Sequence, residues 1–440
     1  MEARAAPIER EAALFRVPAP DPGCVQNNMK ILFLAHRIPF PPNKGDKIRS
    51  FNILQYLAAR HEVHLACLID DAADLQFVHP LESIARSVVF DRLNPRAGKL
   101  LALAGMLGSR SITVSYFHSS RLQKQVDEII ASRRIDAIFC SCSPMAEYVF
   151  RSRHARGALR AATRIMDLID VDSLKWTQYA ERSPAWKAWI YRYEARRLAE
   201  YEARIAREYQ RVLLVSEDEK QRFPGAAGIS NLLAVSNGVD LDFFSRAHAG
   251  AHAPATNALV FTGVMDYWPN VEGMQWFVES VLPLIRARVP EVKLFIVGNR
   301  PVPEVRRLGD VPGVTVTGFV EDVRDYLGPA ALCIVPLRIA RGVQNKVLEA
   351  MAMGKAVVST PQALEGLRAE PGRDILVAEN AEAFAAAVLR LLQAPDETAR
   401  MGRNARACVE THYSWAENLR PLDDLLPAAT VPRAAMLGVT

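Results

Sequence analysis

Long hydrophobic runs are missing from this chain. No stretch approaches the roughly 18–20 continuous apolar residues that a membrane-spanning helix needs. Residues 1–28 lack the central apolar run of a signal peptide and read as a disordered extension, with Met29 directly before the first strand as a second candidate start. Cysteine is sparse and scattered, at Cys24, Cys67, Cys140, Cys142, Cys333 and Cys408. Most of these lie in or beside apolar runs, where cysteine behaves as a small hydrophobe. Cys140 and Cys142 have neither a second pair nor neighbouring histidines, so no metal site is expected. This usage suits a reducing cytoplasm. Neither half contains Gly-x-Gly-x-x-Gly, which argues against a dinucleotide oxidoreductase. The formal charge of +5 is modest for 440 residues. No basic patch with interleaved aromatics marks a nucleic-acid binder. Small anionic ligands or an anionic membrane face are more natural partners. No internal repeat or low-complexity tract is visible.

Half of the residues are hydrophobic and 23% are charged, as in globular proteins. The length favours two domains. Two runs of alternating strand and helix signals point to α/β layers. In the first, Ile31 to Ala35 is a continuous apolar run, the mark of a buried parallel strand. A proline-rich loop, Gly45 and a helix through Arg60 follow. Further strands are expected over Val63–Leu68, Val88–Phe90, Ala137–Cys140, Arg164–Leu168 and Val212–Val215. A long helix spans Trp186 to about Gln210, with Trp189, Tyr193, Leu198, Tyr201 and Ile205 facing the core. Ser236 to Asp240, with its Asn-Gly turn signal, closes this half. The second run has strands over Ala258–Thr262, Lys293–Val297, Val314–Thr317 and Leu332–Val335, with a helix over Val271–Arg288. Residues 29–240 form the first domain, 241–257 a linker, 258–410 the second domain and 411–430 a final helix.

The most informative stretch runs from Ala340 to Thr360. A glycine turn after a buried strand opens a helix that carries Lys346 and Glu349. Free N–H groups and the positive dipole end of such a helix favour an anion. Lys346 can reach a phosphate as a point charge. Glu349 projects from the same side of the helix, where a carboxylate suits the vicinal hydroxyls of a ribose. The backbone of Gly342, Val343, Gln344 and Asn345, together with Lys346, Glu349 and Arg338, is thus a candidate grip for a nucleotide diphosphate. A solvated lysine and a capping glutamate are the structural alternatives.

This segment resembles the donor-binding helix of GT-B glycosyltransferases, specifically the retaining family 4 (glycosyl transferases group 1). Phe261-Thr262-Gly263, Tyr267-Trp268-Pro269-Asn270, Phe295-Ile296-Val297-Gly298, Val316 to Asp322 and Cys333 to Leu337 follow the family's order and spacing. The amino-terminal half is similar to a narrower subgroup, sugar transferases associated with exopolysaccharide and exosortase (PEP-CTERM) systems. The carriers are Leu34 to Lys47 and Asp167 to Trp176.

The resemblance implies two Rossmann-like doubly wound domains facing a cleft, with a UDP- or GDP-linked sugar as co-substrate and no cofactor or metal. The acceptor would be a glycan or a lipid-linked saccharide. Gly263, Gly298 and Glu321 become donor contacts, and Gly45 matches the family's glycine that approaches the donor phosphates. His36, Asn43, Lys44 and Lys47 lie in or beside a loop suited to an acceptor. Asp170 and Asp172 are catalytic candidates: one serves as general base if the reaction inverts, or both orient hydroxyls if it retains. Capping of a turn is the plainer role for each. Two departures stand out. Arg341 occupies the place of the first glutamate in the family's E-x7-E motif, of which Glu349 is the second. The segment Met265 to Asn270 lacks the usual cations. Rival readings are a GT-B nucleotide-sugar 2-epimerase and a degenerate module that binds without turnover. A basic-apolar segment, Arg96, Lys99 and Leu100 to Leu107, is either a buried helix or a peripheral contact with the inner membrane face.

Overall fold

The computed structural model describes residues 29–245 and 255–426. The expected extension at 1–28, part of the expected linker and the end of the final helix lie outside them. The chain divides into two compact units, one formed by residues 29–235 with 419–426 and the other by the described residues of 236–418.

The first unit holds a seven-stranded parallel sheet in the order β3-β2-β1-β4-β5-β6-β7. Its strands are β1 (Lys30–Ala35), β2 (Glu62–Ile69), β3 (Ser87–Arg92), β4 (Ala137–Ser141), β5 (Thr163–Ile169), β6 (Arg211–Leu214) and β7 (Leu232–Ala234). β1, β2 and β4 are almost wholly buried, which is why they read as unbroken apolar runs. The short β7 was not expected; three residues carry too little periodicity. Helices used below are α1 (Gly45–Ala58), α2 (Pro95–Leu107), α3 (Ile112–Tyr116), α4 (Asp172–Glu181) and α5 (Ala185–Glu208). On α5, Leu198 and Ile205 are buried as expected, but Trp189 is exposed. Glu194 and Glu202 are buried instead, because each accepts N–H and hydroxyl donors at a helix start. Glu194 takes Ser111 Oγ (2.7 Å), Ile112 N (2.6 Å) and Thr113 N (2.9 Å). Glu202 takes Ser173 N (3.1 Å) and Oγ (2.5 Å).

The second unit repeats the plan with six parallel strands in the order β10-β9-β8-β11-β12-β13. They are β8 (Ala255–Thr262), β9 (Lys293–Val297), β10 (Val314–Gly318), β11 (Ala330–Val335), β12 (Val357–Ser359) and β13 (Leu376–Val377). The helix expected over Val271–Arg288 is interrupted: α6 (Trp268–Trp276) passes through a π turn over Phe277–Val281 before the helix resumes. Pro283 lacks the N–H that an unbroken α-helix requires. α7 (Asn345–Ala352) and α8 (Pro395–His412) follow. The end of the described chain is two short helices, Trp415–Leu419 and α9 (Pro421–Leu425), not one. α9 rejoins the first unit, where Tyr56 Oη donates to Asp423 Oδ2 at 2.7 Å.

Candidate functional site

Each sheet reverses its strand order once, between β1 and β4 and between β8 and β11. Loops leaving the carboxyl ends of such strand pairs diverge and leave a crevice for ligands. The residues singled out from the sequence concentrate at these two places.

In the second unit, Gly263 N donates to Val297 O at 3.0 Å. Gly298 has φ 150°, and a Cβ there would fall 1.7 Å from the Gly263 carbonyl oxygen. Only glycine fits. A Cβ on Gly263 would lie 2.8 Å from Asn270 Nδ2 and 3.2 Å from Lys346 Nζ. Lys346 Nζ in turn donates to Asn270 Oδ1 at 2.5 Å and stands 4.6 Å from the centre of the Phe261 ring. Asn270 is oriented by its own Nδ2 bond to Val264 O at 2.8 Å. Strand ends, α6 and α7 thus bring two glycines, an amide and an ammonium together. Asn270 was quoted in the sequence motif but not assigned to the site. The signal was its position in the first turn of a helix directly behind a glycine strand end.

Burial pushes Lys346 down to about 7, with Glu349 acting in the other direction. Burial likewise pushes Glu349 up to about 7, opposed by Lys346. A partly dehydrated ammonium gains more from a phosphate than an exposed one does, because solvent screens the attraction less. α7 is pinned at both ends. Asn345 Oδ1 accepts from Asn237 Nδ2 at 3.0 Å, and Arg406 Nη1 donates to Ala352 O at 2.7 Å. Before the helix, Gly342 has φ 63° and is buried with Val343, while Gln344 Nε2 donates to Arg341 O at 2.8 Å. The turn is therefore held by side chains as well as by backbone.

Arg338 is held in an ion pair with Glu272. Its Nε donates to Glu272 Oε1 at 2.7 Å, its Nη2 makes a second contact there, and the guanidinium lies 5.7 Å from the Trp276 ring centre. Its charge is already matched by a carboxylate on α6. Lys346, not Arg338, is the cation in contact with the glycine cluster. Glu321, beyond the end of β10, is exposed.

In the first unit, the loop after β1 runs through a cis Phe40–Pro41 bond to the exposed Gly45. His36 Nε2 lies 3.0 Å from Asp46 Oδ2. Arg37 joins Asp46 (Nη1–Oδ2, 2.5 Å) to Asp70 (Nε–Oδ2, 2.8 Å). Burial alone would raise the Asp46 carboxyl, but His36 and Arg37 overcome it and hold it well below its ordinary range. Lys44 Nζ approaches Asp70 at 4.0 Å, and Asn43 is exposed. Lys47 must be corrected. It is 1% exposed, and its Nζ donates to Asp74 Oδ2 at 2.9 Å. It lies on the packed face of α1 and cannot reach an acceptor. Beneath the loop, Arg49 and Asp167, both fully buried, form a bidentate pair, and Arg49 Nη1 also donates to Val235 O at 2.8 Å.

β4 is followed by Cys142 with φ 74°, and β5 ends on Ile169 with φ 70°. For a β-branched residue the left-handed region is costly, and such strain gathers at functional sites. Asp170 follows. Burial, reinforced by Glu219, pushes its carboxyl up to about 7. Asp172 opens α4 and accepts from Lys175 Nζ at 3.1 Å. Two carboxyl groups two residues apart therefore have different surroundings, one desolvated and one paired with a lysine.

Residues 256–394 match the family described as Glycosyl transferases group 1. That stretch of the second unit is similar to the group 1 glycosyl transferases. An uncharacterized 44.6 kDa protein in the cps region of Klebsiella pneumoniae is 21% identical over 395 residues, 87% of this chain and 96% of the relative. Phosphatidyl-myo-inositol mannosyltransferase of Mycolicibacterium smegmatis is 31% identical over 198 residues, 42% of this chain and 49% of that protein. Among solved structures, Anabaena HepE in complex with UDP and glucose is similar with a TM-score of 0.64 at 17% identity, covering 91% of this chain and 99% of HepE. The two parallel sheets are those of a GT-B fold, and with the matched stretch the protein is a glycosyltransferase. The Lys346 cluster lies in the stretch between β8 and α7, inside the matched region.

Proposed function

We propose that this group 1 glycosyl transferase moves a sugar from a UDP- or GDP-linked donor to a glycan or lipid-linked saccharide, without an obligatory metal. The observation that carries the reading is the convergence of Gly263, Gly298, Asn270 and Lys346 at the switch point of the second sheet, with Glu349 one turn along α7. The glycine backbones admit a diphosphate, Lys346 neutralises it as it leaves, and Glu349 receives the ribose hydroxyls. In the transfer, the bond from the anomeric carbon to the phosphate oxygen breaks and the acceptor hydroxyl oxygen bonds to that carbon. The hydroxyl proton passes to a carboxylate, for which Asp170 and Asp172 are the candidates, or to the departing phosphate. UDP in the HepE structure supports the nucleotide class, and the cps-region relative supports a role in polysaccharide assembly. We assign the chain to the exosortase-associated exopolysaccharide subgroup, working at the cytoplasmic side of the membrane.

Thermal stabilisation by UDP, GDP and their common sugars, in wild type beside Glu349→Ala, tests the reading. A ligand at about 100 times its dissociation constant adds about 2.7 kcal/mol. A shift with one nucleotide that the variant loses supports the grip. Absence of any shift in folded protein removes the donor assignment. Binding without transfer to any of several acceptors favours a module without turnover.

A further inference from the structure

α2 is built the wrong way round for a helix of a water-soluble surface. Its packed face is made of Gly98, Ala102 and Gly105. A Cβ on Gly98 would lie 2.8 Å from the Tyr116 ring, and one on Gly105 2.2 Å from Ser115 Oγ. The glycines thus set α2 tightly against α3 and leave no room for larger side chains on that side. The leucines of the same helix are on the other side, at the i, i+3 and i+7 spacing of a single stripe: Leu100, Leu103 and Leu107 are 69%, 58% and 88% exposed.

A second stripe adjoins the end of this one. Trp186, Trp189 and Tyr193 share one face of α5 by the same spacing. Trp186 and Trp189 are 66% and 55% exposed. Tyr193 Oη donates to Met106 O (3.1 Å) and Arg110 O (3.0 Å), and Glu194 grips the start of α3, which ties this part of α5 to the carboxyl end of α2. Around the two stripes the charge is predominantly positive. Residues 95–112 and 182–193 contain Arg96, Lys99, Arg110, Arg182, Lys187 and Arg192, all exposed, and no aspartate or glutamate, with the exposed Glu181 directly before the second stretch.

We infer that the α2–α5 face of the first unit docks on an anionic lipid surface, with the leucines and tryptophans entering the headgroup region and the six cations meeting lipid phosphates. Exposed leucines backed by glycine match a shallow apolar phase, exposed tryptophans match its boundary, and the excess of cations matches its charge. A second copy of this chain would bring the same six cations against themselves. The inference deepens the membrane side of the proposed function, and vesicle binding reads it separately from sugar transfer.

The test is co-sedimentation of the full chain with vesicles of phosphatidylcholine alone and of an equimolar mixture with phosphatidylglycerol, together with Leu103→Glu/Leu107→Glu and Arg96→Gln/Lys99→Gln. Both pairs are exposed, so circular dichroism is expected to stay at wild type. The expected result is partition onto anionic vesicles that exceeds neutral ones by about tenfold, weakens with salt, and falls by about tenfold in the leucine variant and less in the charge variant. Equal failure of wild type on both vesicles, or binding that the leucine variant leaves intact, overturns the inference. So does a wild-type dimer in sedimentation velocity that the leucine variant dissociates, which assigns the face to self-association.

Discussion

Lys346 Nζ lies 2.5 Å from Asn270 Oδ1, and the two side chains stand on α7 and α6, helices that follow the strands on either side of the second sheet's reversal. The amide gives a partly dehydrated ammonium one polar partner without neutralising it. Lys346→Met is expected to keep the fold and weaken binding of nucleoside diphosphate by about 100-fold, the value of one charge-assisted bond to phosphate in a shielded site. Isothermal titration calorimetry with UDP and GDP measures it. Unchanged affinity would move the phosphates elsewhere.

The same lysine sets a pH dependence. With its free-state pKa lowered to about 7, binding a diphosphate favours the ammonium, so a proton is taken up and affinity falls as pH rises through about 7. Glu349, raised to about 7, must ionise to receive hydroxyls, so affinity also falls as pH drops below about 7. Glu349→Gln removes the acid limb. It also removes the charge that supports Lys346, so the alkaline limb moves to lower pH. Dissociation constants from pH 5.5 to 9, a range about 1.5–2 units either side of 7, check both limbs.

Gly263 and Gly298 separate fold from function. Gly298→Ala places a methyl inside the Gly263 carbonyl and is expected to cost about 3 kcal/mol or more, read as a fall in Tm. Gly263→Ala meets only the side chains of Asn270 and Lys346 at close range. It should fold and lose nucleotide binding.

Arg49 and Asp167 are fully buried partners. Arg49→Met leaves an uncompensated carboxylate and is expected to destabilise the first unit by about 3–5 kcal/mol. Arg49→Met/Asp167→Leu should recover part of that loss, and chemical denaturation of both variants tests the coupling.

Asp170 is raised from its ordinary value to about 7, so the folded state resists its ionisation. Protonated below about pH 3 in both states, it has no effect there. Between the unfolded value of 3.8 and about 7 the unfolded chain ionises first, and stability is lost. Asp170→Asn should therefore match wild type at about pH 3 and exceed it by about 2 kcal/mol at pH 8, half the full linkage over that span because the side chain keeps some solvent contact. Loss of transfer in the same variant would identify it as the proton acceptor.

Much of the fold was legible in the chain. β1, β9 and the helix from Asn345 stand within a residue or two of their expected places, because strands buried on both faces must be apolar throughout and a glycine turn sets where a helix begins. That Lys346 and Glu349 are neighbours on one helix was legible for the same local reason, since three positions along a helix place side chains on one side. What the sequence by itself determined is therefore the two-sheet α/β plan and the start of the helix that carries Lys346 and Glu349. Tertiary structure alone decided that Lys47 and Arg338 are spent on Asp74 and Glu272, that Asn270 reaches Lys346, and that α2 turns its leucines outward. Each depends on a partner at least 27 residues away or on the packing of a glycine face, and no spacing rule within one element can report where such a partner will lie.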